Sequence, residues 1–221
     1  MPDLVKISAA SLEYQAMFKV PNINFISSGA ERAFEAIMIA LLPYGLRLAN
    51  VDTHTFGKPA DRRIIFSIPE HDVNFQVGAE GYKFVKESVS WRVLDEYKPI
   101  MIAAEQALLE GSAAKIGACT ATIAMHLQPL VKSREEILEP FVPEPFRPLI
   151  AQRKADRYGN HLKLEDGDLL LDFSLVFANG IFLKFSRQFS GHPPIFEALA
   201  QVQRDQEAVF KILGVEEIVN G

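Results

Sequence analysis

One order of signals occurs twice in this chain. "KISA" at residues 6–9 is echoed by "KIGA" at 115–118, and each is followed by a helix-start signature, "SGAE" at 28–31 and "SREE" at 133–136. A serine three residues ahead of a glutamate is a capping box. The hydroxyl accepts a backbone N–H of the first turn while the carboxylate accepts the serine N–H. Strand-like segments and then a longer helical pattern follow each signature. Strand, helix, strands, helix is therefore the order of both 1–111 and 112–221, with the junction near Gly111–Ser112. We read this as an ancient duplication folded into one compact unit. It constrains the chain to an α+β fold: two pseudo-repeated halves forming antiparallel sheet, with helices mainly on one face. The halves are expected to share one order of strand neighbours.

The individual elements follow from periodicity. Residues 4–18 read as a strand or two. Phe34, Ile37, Met38, Leu41 and Leu42 form one apolar helical stripe, which Pro43 and Gly45 stop. "LRLANVDTHTF", "RRIIFSI" and "VNFQVGAEGYKFV" read as three strands or hairpin arms. Residues 91–110 read as a helix in which Pro99 either makes a kink or marks the true start, and which Gly111 closes. In the second half "LIAQRKADRY", "LLLDFSLVFA" and "IFLKFSRQF" read as strands. A last amphipathic helix over 194–213 carries Ile195, Leu199, Val202, Val209, Phe210 and Leu213. The four prolines of "EPFVPEPFRPL" predict a packed, irregular connection rather than a PxxP ligand.

"AKIGACTATIAMHL", 114–127, holds the single cysteine, Cys119, and one of five histidines, His126. With period two, Cys119, Ala121, Ile123, Met125 and Leu127 share an apolar face, and Thr120, Thr122, Ala124 and His126 share the other. That is a half-buried strand, in which seven residues span roughly 23 Å. Cys119 and His126 cannot act as nucleophile and base on each other. Cys119 reads as a small core residue with a buried, inert thiol.

Composition narrows the function classes. The formal charge is −5 and no run of five basic residues occurs, which argues against nucleic acid as a partner. One cysteine permits neither an internal disulfide nor a multi-cysteine metal site. "AIMIALL" and "LLLDFSLVF" are far shorter than the ~20 residues of a membrane helix, and the first residues lack a secretory pattern. A cytoplasmic, bacterial-type protein is the expectation. His54, His71, His161 and His192 stand without metal spacing, and no nucleophile elbow, P-loop or dinucleotide fingerprint occurs. No cofactor or metal site is expected. Glu165, Asp166, Asp168 and Asp172 cluster, but the ligand offsets of a calcium loop are missing; Asp166-Gly167 reads instead as a hairpin turn.

Asn179-Gly180 is the strongest local signal. A two-residue type I′ turn there would pair Ala178 with Ile181, Phe177 with Phe182 and Asp172 with Arg187. One face would then carry Leu171, Phe173, Leu175, Phe177 and Phe182, and the other Leu170, Val176, Ala178, Ile181, Leu183, Phe185 and Phe189. Both faces are apolar, so a second cover is needed: another sheet, another subunit or a ligand.

Gln76, Trp91 and Tyr97 occur in the order strand glutamine, tryptophan, helix-entering tyrosine. In this the segment 73–100 resembles a sporadically distributed bacterial protein family of unknown function, which brings no catalytic residues. The duplicated unit is similar in shape to the saddle of the TATA-box-binding protein. The leading expectation is a non-catalytic binding or assembly protein that uses an apolar sheet face, with Phe173, Leu175, Phe177 and Phe182 as ligand-binding residues and self-association through the sheet surface. The alternative is a small apolar-ligand-binding protein, or an enzyme, with a cavity between sheet and long helix.

Overall fold

A computed structural model of the chain describes residues 2–22, 31–54, 62–89, 94–148 and 159–217. The elements are β1 (Asp3–Phe18), α1 (Glu31–Leu41), β2 (Val51–His54), β3 (Arg63–Ile68), β4 (Val73–Gly78), β5 (Gly81–Glu87), α2 (Leu94–Ser112), β6 (Ile116–Pro129), α3 (Arg134–Leu138), β7 (Gly159–Leu164), β8 (Gly167–Phe173), β9 (Ile181–Ser190), α4 (Ile195–Leu213) and β10 (Val215–Glu217). The strands form one open sheet in the order β2-β3-β4-β5-β1-β6-β9-β8-β7, antiparallel except where the short β10 joins β1 in parallel. Counted outward from the centre, the neighbours are β1-β5-β4-β3-β2 in the first half and β6-β9-β8-β7 in the second. Each half's opening strand pairs with the last strand of its own meander. The architecture is thus α+β, an open antiparallel sheet with helices.

Packing divides the chain into two compact units, one of residues 11–121 and 188–200, the other of 1–10, 122–187 and 201–221. The long strands β1 and β6 supply a stretch to each.

In the unit of 11–121 and 188–200, one sheet face is closed by Leu12, Tyr14, Ala16, Phe66, Phe75, Val77, Tyr82 and Phe84. Their aromatic rings interlock, with Phe75 stacked on Phe84 at 4.5 Å and edge-on to Tyr82 at 5.7 Å. Helix α1 contributes Ala33, Ile37 and Leu41, and α2 contributes Ile100, Met101, Ala104 and Leu108. Gly111 does not close α2, which runs on to Ser112 and leaves the left-handed position to Ala113 at φ 54°. The glycine serves packing instead. A Cβ on Gly111 would lie 2.7 Å from the Ala33 Cα, so its absence lets α1 and α2 approach. Pro99 lies inside α2 rather than at its start. Near the helix beginning, its missing N–H removes one early backbone bond.

In the other unit, Val5, Ile123, Met125, Leu127, Leu169, Leu171, Phe173, Ile181, Leu183 and Phe185 form the buried face, with Val202, Val209, Phe210 and Leu213 of α4. The Ser133–Glu136 capping box is formed at the start of α3. Ser28 of its counterpart, "LIAQRKADRY" and Trp91 fall outside the described residues. Residues 159–164, not anticipated as a strand, are β7. They join β8 through a turn at Glu165–Asp166, one residue earlier than Asp166-Gly167.

The larger correction concerns the β8–β9 register. Phe173 pairs with Ile181, Asp172 with Phe182 and Gly167 with Arg187. The connection is therefore 174–180, not two residues. Its shape comes from Ser174, whose hydroxyl accepts the N–H groups of Val176 (3.2 Å) and Phe177 (3.0 Å), while its own N–H donates to the Gly180 carbonyl. A side chain bonding to backbone two and three residues on competes directly with continued strand pairing. Asn179 alone takes the left-handed conformation, at φ 57°. The register shift of five residues is odd, so it reassigns the faces. Leu169, Leu171, Phe173, Ile181, Leu183 and Phe185 are buried together, while Asp168, Leu170, Asp172, Phe182, Lys184 and Ser186 turn to the open face. The expected Asp172–Arg187 pair does not form. Arg187 bonds Asp166 at 2.7 Å and Asp205 of α4 at 2.7 Å.

Candidate functional site

The open face of β1, β3, β4 and β5 holds a concave groove, built by cross-strand register. Gln76 of β4 stands opposite Ile65 of β3 and Lys83 of β5, and Lys83 stands opposite Gln15 of β1. One step toward the hairpin end, Arg63 faces Gly78, and Gly81 faces Met17. Side chains alternate across a strand, so Gln15, Met17, Arg63, Gln76 and Lys83 project on the same side. At Gly78 and Gly81 the same side is bare backbone. The result is a depression of about 360 Å³ floored by glycines and walled by long polar side chains, with Arg62 and Glu80 completing the lining. Gly81 is required by packing as well, because a Cβ there would fall 2.1 Å from the Ala16 carbonyl oxygen.

The electrostatics of this groove run against those of the whole chain. Arg62, Arg63 and Lys83 line it with a single lining carboxylate, Glu80, although the chain carries a net −5. Lys83 is partly neutralised by Glu13 at 3.1 Å. The Arg62 Nε is buried and, among the described residues, has no hydrogen-bond acceptor. Buried donors are nearly always paired, so an unpaired one marks a place for an acceptor.

On the opposite, helix-covered face of β5 lies a buried polar cluster. The Tyr82 hydroxyl donates a short hydrogen bond to Glu105 Oε1 of α2, and His192 Nε2 meets the same oxygen at 3.0 Å. The Tyr14 hydroxyl donates to Cys119 Sγ at 3.2 Å. Burial, and then the Glu105 charge, pushes the Tyr82 phenol well above its ordinary pKa. Burial, and then the Cys119 hydrogen bond, does the same to Tyr14. Burial raises the Cys119 thiol too. Both phenols are therefore neutral donors and the thiol is protonated, which makes Cys119 a poor nucleophile. Sequence reading missed Glu105. Its signal is a charge on an otherwise apolar helical stripe, at i+4 from Met101 and i−3 from Leu108.

Of the four residues expected to bind ligand, Phe177 and Phe182 come together and Phe173 and Leu175 do not join them. Phe173 is buried on the helix-covered face with its pair Ile181. Leu175 is 81% exposed in the 174–180 connection. Phe177 and Phe182 flank the His126 ring at 5.7 and 5.0 Å. The hairpin thus has one buried apolar face, while Leu170 and Phe182 lie half-buried on the other among Asp168, Asp172, Lys184 and Ser186. His126 itself bonds Ser174 Oγ at 2.8 Å through Nδ1, and burial lowers its pKa. Of the family-like residues, Gln76 lines the groove, while Tyr97 is buried with Lys86 Nζ 4.8 Å above its ring. The carboxylates of 165–172 are dispersed, with Asp166 on Arg187 and Asp168 on His161 at 3.2 Å. No described helix is long and apolar enough to cross a membrane, and no group of three or more metal-ligating side chains occurs among the described residues.

No family model and no curated protein matches the chain. Among solved structures it is similar to the substrate-free duplicated taurocyamine kinase from Schistosoma mansoni, at 10% identity and a TM-score of 0.46. The match covers 93% of this chain and 32% of that one, so the chain spans about a third of that protein's length. At this level the likeness assigns no activity.

Proposed function

We propose that the protein is a non-catalytic binding protein that seats a small polar molecule in the groove over Gly78 and Gly81. The carrying observation is the groove's construction: bare backbone on the floor, amides of Gln15 and Gln76 and the cations of Arg63 and Lys83 on the walls. A volume of about 360 Å³ lies within the range of small-molecule sites. The lining offers hydrogen-bond donors and acceptors, the equipment of recognition, rather than a nucleophile beside a base.

The experiment is a thermal melt of the full chain against a panel of small polar metabolites, run beside Gln15→Trp. Gln15 is exposed, so the indole fills the groove without entering the core. A ligand at a hundred times its Kd stabilises by about 2.7 kcal/mol, a shift of roughly 5–10 °C for a chain of this size. We expect some compounds to raise the parent's Tm and to leave Gln15→Trp unmoved. Equal shifts in both proteins would remove the groove from consideration.

A further inference from the structure

We infer that the molecule held in this groove carries an oxyanion, carboxylate or phosphate, received by the guanidinium groups of Arg62 and Arg63. This rests on the binding reading above and specifies its ligand class.

Three observations converge. The first is the Arg62 Nε, buried in the lining with no acceptor among the described residues. A guanidinium donor is strong, and its best acceptors are ionised oxygens. The second is position. Arg63 stands directly across from Gly78, so its exposed side chain flanks the stretch where no Cβ intervenes. No ion pair holds Arg63 among the described residues. The third is the surroundings. Lys83 is already engaged by Glu13, and Gln15 and Gln76 place amide groups on the walls. The opposing charge in the lining is Glu80, which sits in the β4–β5 turn. Two guanidiniums beside amides recognise an oxyanion by direction as well as by charge, because the planar fork matches two oxygens at once. The acidic balance of the chain works against a long polyanion and leaves a single small anionic group as the fitting occupant.

Isothermal titration of the full chain at fixed ionic strength tests this. Sodium phosphate and sodium succinate are the two anionic probes, glucose is the neutral one, and sodium chloride balances the salt. We expect saturable binding of phosphate or succinate at one site, and the tighter of the two says which oxyanion the groove prefers. Binding should weaken tenfold or more in Arg62→Met. It should weaken as well in Arg63→Met, whose exposed position leaves folding intact, and vanish in Gln15→Trp. Saturable glucose binding that Gln15→Trp abolishes, with neither anion bound, would overturn the oxyanion while leaving the binding groove standing. Anion binding that survives all three substitutions would overturn the groove assignment as well. Tighter binding of a 12-base-pair DNA duplex than of either anion, lost in Arg62→Met, would also overturn it, since the occupant would then be a polyanion.

Discussion

Two hairpins end in glycine-bearing turns, and they use the glycine differently. In β4–β5, Gly78 and Gly81 stand at the strand ends, pairing continues to Val77–Tyr82, and Gly81 gives the Ala16 carbonyl of β1 room to approach. In β8–β9, pairing stops at Phe173–Ile181, and the Ser174 hydroxyl gathers the seven residues 174–180 into an irregular connection. The first hairpin obeys its ladder, the second a side chain. A dipeptide such as Asn-Gly states only what the backbone can do. Whether it does so depends on what else bonds to that backbone.

The largest expected effect separates the two glycines. Gly81→Ala places a Cβ 2.1 Å from the Ala16 carbonyl oxygen, so β1 and β5 must part. We expect a loss of about 3 kcal/mol in urea unfolding, at the upper end for overpacking. Gly180→Ala meets the Ser174 Cβ at 2.9 Å and the Phe177 carbonyl oxygen at 3.0 Å, both in a surface connection that can relax. There the expected loss is about 1 kcal/mol. Equal losses would mean that both glycines serve close approach alike, and the contrast would collapse.

Next is the serine itself. Ser174→Ala leaves the N–H groups of Val176 and Phe177 and the Nδ1 of His126 without their common partner. About 2 kcal/mol is expected, since three part-buried groups lose their hydrogen-bond partner at once. Hydrogen exchange at the Val176 and Phe177 amides should accelerate. Unchanged exchange would show that the connection is held by something other than the hydroxyl.

These two hairpins also show what the sequence makes legible. The period of two in β6 was readable because every other residue from Cys119 to Leu127 is apolar, and all five are buried. The last helix was readable for the same reason at a period of 3.6. The groove was not. Gln15, Arg63, Gln76 and Lys83 come from four strands, and only the register brings them together. Register was also where the reading of Asn179-Gly180 went wrong. A five-residue shift exchanges the faces, so Phe173 and Phe182, expected on one wall, lie on opposite sides.

A smaller effect follows from His126. Burial lowers its pKa in the folded chain, while the unfolded value is about 6.5. The unfolded state therefore binds the proton more readily. The stability from neutral His126 is complete above pH ~6.5 and is lost as pH falls through the folded-state pKa. Neutral Nδ1 accepts the Ser174 O–H. Once protonated it is a donor, facing an oxygen that already accepts two backbone N–H groups. The unfolding free energy of the parent, from urea titration, should fall further than that of His126→Gln between pH 7.5 and 5.5, by under about 1 kcal/mol. Parallel pH profiles would detach the histidine from the connection.

The smallest effect, that of Asn179→Gly, belongs to the position that sharpens the comparison most. Asn179 takes φ 57°, a conformation that costs most residues roughly 1–2 kcal/mol and costs glycine little. Its Oδ1 also accepts the exposed Arg134 N–H at 3.1 Å. Asn179→Gly keeps the conformation and loses that one solvent-accessible bond, so the change should stay within about 0.5 kcal/mol. Asn179→Ala loses the bond and adds the strain, and about 1 kcal/mol is expected. Gly180 has no positive φ and owes its place to the close approach of Ser174 and Phe177. In a type I′ turn both residues would be left-handed, and alanine at either position would meet the same conformational penalty. In the seven-residue connection the Asn179→Ala penalty should disappear in a Ser174→Ala background, where nothing holds the segment in place, while the Gly180→Ala penalty falls with it. Urea unfolding of the three single and two double variants measures this. A full Asn179→Ala penalty that persists without Ser174 would show that the turn forms on its own dihedral preferences, and the serine would no longer explain why this hairpin departs from its ladder.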